Sequence, residues 1–235
     1  MICYAFPVAH EAELLLKKCT QRESFVVDKL SCTLANLGAR QILIAGIGMG
    51  QARARENMQT VFRYFRPKAV VLAGYGGALV APLKVGQVVI STNYTTEQVL
   101  PFLRMLSGFD FASFATVDEL VGTTQKREWY ARKTKGQVAD METAAVSDVV
   151  RARQVPFMAV RAISDDYQQV LPLQALAAAF DPVKGRSTPF RLLKHLALHV
   201  GDYAPFKKFV FGLAPARKNL TAFLKQLNEE LPSSW

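Results

Sequence analysis

Three carboxylates in this chain stand where an apolar run gives way to polar residues. Glu11 follows the run Ile2–Val8, Glu142 ends Val138-Ala139-Asp140-Met141-Glu142, and Asp165 ends Arg161-Ala162-Ile163-Ser164-Asp165. A carboxylate at such a junction sits at the margin of buried surface. There burial raises its pKa and neighbouring charge or N–H groups lower it, so one group can donate a proton while another accepts one. Taken singly, Glu142 reads as an acid near the positive end of a helix, and Asp165 as a cap after a strand. Other chemistries find less support. His195 and His199 fall one helical turn apart but lack a third ligand, and His10 has no partner set, so no metal is expected. Cys3, Cys19 and Cys32 are odd in number and lack ligand spacing, which reads as reduced thiols with no nucleophile among them. Asp118, Asp140, Asp148 and Asp166 offer further acid–base groups, of which Asp148 reads as part of a solvated helical face and Asp140 as a residue that orients backbone.

Short apolar runs alternating with helical patterns must position these groups, which is the signature of strands joined by crossover helices. Strands are expected at Ile2–Val8, Gln41–Ala45, Ala69–Ala73, Gln87–Thr92, Ser113–Val117, Gly136–Ala139 and Phe157–Ile163. Helices are expected at Glu11–Cys19, Gln51–Phe65, Gln125–Lys133 and Glu142–Arg153. Phe25–Val27 and Cys32–Ala35 suggest an extra antiparallel pair. After Tyr167 only helices are expected: Leu171–Phe180, Pro189–Val200, Pro205–Leu213 and Ala216–Leu231. The fold class is α/β, a mixed sheet flanked by helices in an α/β/α arrangement. It forms one domain over 1–235, with a core at 1–168 and a helical C-terminal appendage at 169–235.

Composition bounds the alternatives. Half of the 235 residues are hydrophobic and 20% are charged, which excludes a mainly disordered chain. The longest apolar runs are too short to span a bilayer. The apolar start lacks a preceding basic region and is followed by His10-Glu11-Ala12-Glu13, so it reads as a buried strand rather than a signal peptide, and a cytoplasmic location is expected. The net charge of +10 is unevenly spread: from Lys184 to Lys225, the residues Lys184, Arg186, Arg191, Lys194, Lys207, Lys208, Arg217, Lys218 and Lys225 face only Asp202. Such a face can attract nucleic acid or an anionic membrane. No nucleic-acid motif accompanies it, so no nucleic-acid partner is expected. A solvated helical face and peripheral membrane contact both stay open. Within the tail, Phe190, Leu193, Ala197 and Val200 form one apolar stripe, expected to bury against the core unless the surface touches lipid.

Two glycine-rich segments complete the pattern. Ala45-Gly46-Ile47-Gly48-Met49-Gly50 ends a strand and precedes a helix, a setting that suits ligand approach to backbone N–H groups. Its spacing is not that of a dinucleotide fingerprint, and a tight turn alone would also use these glycines. Gly74-Tyr75-Gly76-Gly77 is expected to turn after the strand Ala69–Ala73, ahead of Leu83-Lys84-Val85-Gly86-Gln87.

With these residues in place, the chain resembles the nucleoside phosphorylase and nucleosidase superfamily from Met1 to about Asp166, and most clearly the bacterial methylthioadenosine/adenosylhomocysteine nucleosidases. The resemblance implies that Glu11 activates water, that Met141 packs under the ribose and Glu142 binds its hydroxyls, and that Ser164 and Asp165 hold the adenine, with Asp165 protonating N7. It further implies that Ile47 lines the ribose end of the pocket and that Gly74, Tyr75 and Gly76 contact substrate. Asp165 must then be protonated when it acts and Glu142 ionised. Gln87 replaces an Asp of the family, a change in a loop contact. The segment between Ile90 and Phe111 is shorter than in those nucleosidases, and Glu119-Leu120 stands where the family has adenine contacts. The tail, Asp181-Pro182-Val183-Lys184-Gly185-Arg186 with the helices after it, resembles hopanoid-associated nucleosidases, which implies a lipid-linked adenosine as substrate.

Phosphorylases of the superfamily hold phosphate with an Arg before the glycine turn and a Ser or Thr within it, and this chain has Leu72 and Tyr75 there. Phosphate without such partners carries a desolvation cost. Arg53 and Arg55 are expected to face solvent or a partner subunit. The expected activity is therefore hydrolysis of a 5′-substituted adenosine to release adenine, without a cofactor and in a homodimer. A purine nucleoside phosphorylase and a non-catalytic nucleoside-binding module are the alternatives.

Overall fold

In the computed structural model, residues 1–181 and 186–235 are described. The elements run β1 (Ile2–Phe6), α1 (Ala9–Leu16), β2 (Thr20–Val27), β3 (Leu30–Leu37), β4 (Arg40–Gly46), α2 (Gln51–Tyr64), β5 (Ala69–Ala78), β6 (Val88–Ser91), α3 (Leu100–Leu103), β7 (Asp110–Ala112), β8 (Phe114–Thr116), α4 (Thr124–Thr134), β9 (Val138–Asp140), α5 (Thr143–Arg151), β10 (Phe157–Asp165), α6 (Leu173–Ala179), β11 (Phe180–Asp181), β12 (Arg186–Ser187), α7 (Pro189–Leu198) and α8 (Tyr203–Glu230). Residues 182–185, which carry part of the tail resemblance, lie outside the described residues.

Strand order along the main sheet is β2-β3-β4-β1-β5-β10-β6-β7. β1 pairs in parallel with β4 and β5, and β5 with β10, whereas β10 meets β6 antiparallel. Alternation along β1 explains the layers, because successive side chains leave opposite faces of a strand. Ile2, Tyr4 and Phe6 pack into a core with Leu15 of α1 and with Leu220, Phe223 and Leu224 of α8. Cys3 and Ala5 point into a second core with Ala54, Met58 and Val61 of α2 and with Val146, Val149 and Val150 of α5. The mixed sheet flanked by helices thus matches the expected class.

Three departures matter. The segment Gly74–Gly77 is no turn: β5 continues extended to Ala78, and its last residues pair with β9 while Gly74 to Gly77 pair with β10. The extra antiparallel pair is longer than expected, as β2 and β3 extend the sheet beyond β4. The two expected terminal helices are one, with Pro215 inside α8. Proline in a helix interior costs about 3 kcal/mol, but each fully buried Leu or Phe returns roughly 1.5–3 kcal/mol. Ala216, Leu220, Phe223, Leu224 and Leu227 are all buried at helical spacing past the proline, so packing wins. Tyr4 donates its hydroxyl to Asn228, and Arg40 donates to the carbonyls of Leu231 and Pro232. The end of α8 therefore packs into the core layer formed with β1 and α1.

Candidate active site

The carboxyl ends of β1, β4, β5 and β10 converge on one side of the sheet, where open α/β folds bind ligands. Glu11 lies in the first turn of α1, just past β1. Its Oε2 accepts the Val8 N–H at 2.9 Å and its Oε1 the Tyr75 N–H at 2.8 Å, which fixes the carboxyl against the end of β5. Burial pushes its pKa up to about 7, although those two N–H groups pull it down.

Gly74 and Gly77 explain the composition of β5 without any turn. A Cβ at Gly74 would stand 3.0 Å from Glu11 Oε1, and one at Gly77 would stand 2.9 Å from Asp165 Oδ2. The strand must be bare there so that two carboxylates can approach it. The segment before α2 is a true turn, since Gly48 and Gly50 hold φ of +81° and +86°. The Gly50 N–H donates to Glu142 Oε1 at 2.8 Å, so this turn positions a third carboxylate.

Glu142 immediately precedes α5 and is buried. Its pKa is raised to about 7 by burial and by Asp140, against the pull of Arg161 and the Gly50 N–H. Arg161 comes from β10 and is wholly buried, 2.8 Å from Asp140 Oδ2 and 3.7 Å from Glu142 Oε2. It also donates to the Leu72 carbonyl at 3.2 Å and to the Thr143 hydroxyl. Asp140 accepts from the Thr143 N–H and from Thr116, holding the start of α5 as its backbone-orienting role requires, and Thr143 bonds it through its hydroxyl as well.

Asp165 ends β10. Burial raises its pKa, but Arg127 lies 2.6 Å from its Oδ2 and opposes that shift. Arg127 also donates to the carbonyls of Ala78 and Gln169. Ser164 donates to Asp165 Oδ1 or to the Gly76 carbonyl. Sequence reasoning missed both arginines. Arg161 left a signal, a cation inside the apolar run Val160–Ile163, which is costly unless paired. Arg127 left none, because Gln125-Lys126-Arg127-Glu128 reads as a solvated helix.

The structure thus gathers Glu11, Gly74, Tyr75, Gly76, Glu142, Ser164 and Asp165 around the ends of β5 and β10. Tyr75 contributes its backbone, and its buried hydroxyl has no partner. Met141 is half-buried beside Leu79 and Val117. Ile47 is packed wholly inside the core with its N–H on the Phe6 carbonyl, so it presents no surface to a ligand in this conformation. Arg55 is exposed and paired with Asp148 at 2.7 Å, whereas Arg53 folds back over Gly48, its Cδ 2.2 Å from where a Cβ would stand. The Gln87 side chain accepts from the Lys84 N–H and donates to Asp110 of β7. Among the described residues no group of three or more His, Cys, Asp or Glu could hold a metal ion.

The sequence pattern of the Phosphorylase superfamily matches residues 1–111 and 109–181. The chain belongs to that superfamily. Among relatives of this superfamily member is a 5′-methylthioadenosine/S-adenosylhomocysteine nucleosidase of Geobacillus sp. (strain WCH70), 23% identical over 187 residues that cover 66% of this chain and 81% of that protein. A protein of the same name from Bacillus thuringiensis (strain Al Hakam) is 24% identical over 192 residues, with the same coverage. The superfamily fold is also that of an S-adenosylhomocysteine nucleosidase from Streptococcus pyogenes, with a TM-score of 0.73, 17% identity and coverage of 98% of this chain and 97% of the other. The futalosine hydrolase of Helicobacter pylori strain 26695 gives a TM-score of 0.75 at 16% identity, with coverage of 98% and 97%.

Proposed function

We propose that this protein hydrolyses the N-glycosidic bond of a 5′-substituted adenosine and releases adenine. The observation that carries the reading is the gathering of three buried carboxyls, Glu11, Glu142 and Asp165, around the ends of β5 and β10. The nucleosidase names of the relatives agree with it. The protonated Asp165 gives its proton to N7, and the C1′–N9 electron pair leaves with the purine as a neutral molecule. Water bonds to C1′ while Glu11 takes its proton. Glu142, ionised and supported by Arg161, holds the ribose hydroxyls and steadies the cationic sugar. General acid–base steps of this type contribute on the order of 10²–10⁴-fold each.

Water is preferred to phosphate because Leu72 is wholly buried, its carbonyl bonded to Arg161, and the Tyr75 hydroxyl is buried away from solvent. Incubation with methylthioadenosine, with and without phosphate, is expected to yield free 5-methylthioribose at equal rates. One observation favours phosphorolysis: Arg53 lies over the Gly48 turn, where it could meet an anion. Strict phosphate dependence with a 1-phosphate product would establish that reading instead, and adenine release in neither condition from any 5′-substituted adenosine would leave a binding module.

The pH profile follows from the same groups. Glu11 and Glu142 must both be ionised, and burial holds each near 7. The rate is therefore expected to rise through about pH 7 rather than through the ordinary carboxylate range near pH 4. A rate already at its plateau at pH 5 would remove Glu11 as the base.

A further inference from the structure

We infer that α7 and the first half of α8 form a docking face for an anionic lipid surface. The apolar stripe of α7 does not bury against the core: Phe190 is 87% exposed, and Leu193, Ala197 and Val200 are exposed with it. Leu198 of α7 and Phe211 of α8 are exposed as well. Monomeric proteins rarely leave large apolar groups contiguous and uncovered, and such patches mark interaction surfaces. Not one residue of α7 that is described is buried, whereas α8 becomes buried from Ala216 onward. The exposed apolar character therefore belongs to this part of the chain and not to helix ends in general.

Charge selects the occupant. Arg191, Lys194, Lys207 and Lys208 are all exposed among these apolar groups, and the one acidic residue between 190 and 211, Asp202, is held by His195 at 2.7 Å. A second copy apposed through this face would set cations against cations with no acid to meet them. An anionic bilayer supplies what both classes of side chain require, headgroup charge for the lysines and an acyl boundary for Phe190 and Leu193. No helix among the described residues is long and apolar enough to cross a membrane, so the contact is peripheral. The face adjoins the site. Gly212 of α8 lies against Val85 and the Ser164 carbonyl, where a Cβ would sit 3.5 and 3.6 Å away, and Arg217 reaches Glu13 beside Glu11. A lipid surface on this face would thus lie near the end of β10.

The test is co-sedimentation of the full chain with phosphatidylglycerol vesicles and, separately, with phosphatidylcholine vesicles. Binding is expected to the former alone and to weaken with salt, because the charges act within a Debye length. The double variant Lys207→Gln/Lys208→Gln is expected to lower partitioning on the order of 30-fold, from about 1 kcal/mol per cation near such a surface. Phe190→Ser/Leu193→Ser is expected to lower it too, with the thermal midpoint of the fold unchanged because these side chains are exposed. No sedimentation at low salt, equal sedimentation with both lipids, or undiminished binding of both variants would overturn the inference. A dimer in sedimentation velocity that Phe190→Ser/Leu193→Ser converts to monomer would assign the face to a second copy and overturn it equally.

Discussion

Asp165→Asn is expected to lower adenine release by on the order of 10²–10⁴-fold, the contribution of a general acid in its transition state. Asparagine keeps the volume and the Ser164 contact but has no carboxyl proton to give. It also alters the group that faces the buried Arg127 at 2.6 Å, and a buried polar group that loses a partner destabilises a protein. Arg127 retains the Ala78 and Gln169 carbonyls as acceptors, at 2.8 and 3.0 Å, which limits that cost. Chemistry and folding can be separated with a riboside whose leaving group is stable as an anion, such as nitrophenol. That substrate needs no proton, so the variant is expected to keep most of its rate on it while losing the adenosine reaction. Equal losses on both substrates, or near-normal adenine release, would remove Asp165 as the acid.

Arg161→Met carries the largest expected effect on stability. Arg161 is wholly buried and neutralises Asp140 and Glu142, so its removal strands two carboxylates inside the protein. Breaking a buried pair in this way costs about 3–5 kcal/mol, a large share of the roughly 5–15 kcal/mol that holds a domain together. The loss should depend on pH with a definite sign. Burial already raises Glu142 above its unfolded value to about 7, and without Arg161 that shift grows. A carboxyl with a raised folded pKa favours the folded state most below its unfolded pKa, near 4.5, and loses that contribution as pH rises through the folded value. The variant is therefore expected to lie closer to the unsubstituted protein at pH 5 than at pH 8. Urea unfolding at the two pH values measures this, and a loss under about 1 kcal/mol or one independent of pH would contradict the cluster's role.

The carboxylates and the strands that carry them were readable along the chain because both depend on local pattern. Phe157–Ile163 is apolar except for Arg161, as a strand buried on both faces largely must be, and a carboxylate at its end has to lie at a margin. The alternating apolar and helical segments likewise declare an α/β class. Met141-Glu142 and Ser164-Asp165 could be singled out for the same reason.

The partners of those carboxylates were not readable, because pairing depends on which surfaces meet. Arg127 sits in a helix whose neighbours are polar, and only the docking of α4 beside β5 and β10 makes it a buried counter-charge to Asp165. The glycines of β5 look like a turn in one dimension. In three dimensions they are strand residues kept bare for Glu11 and Asp165. Pro215 predicts a break that packing overrides, since the apolar residues beyond it gain more from the core than the lost hydrogen bond costs. The stripe from Phe190 to Val200 shows the same limit from the other side. A periodic pattern specifies that a helix has an apolar face, and its spacing carries no record of what covers that face; the core reaches α8 only from Ala216 onward and leaves α7 outside it.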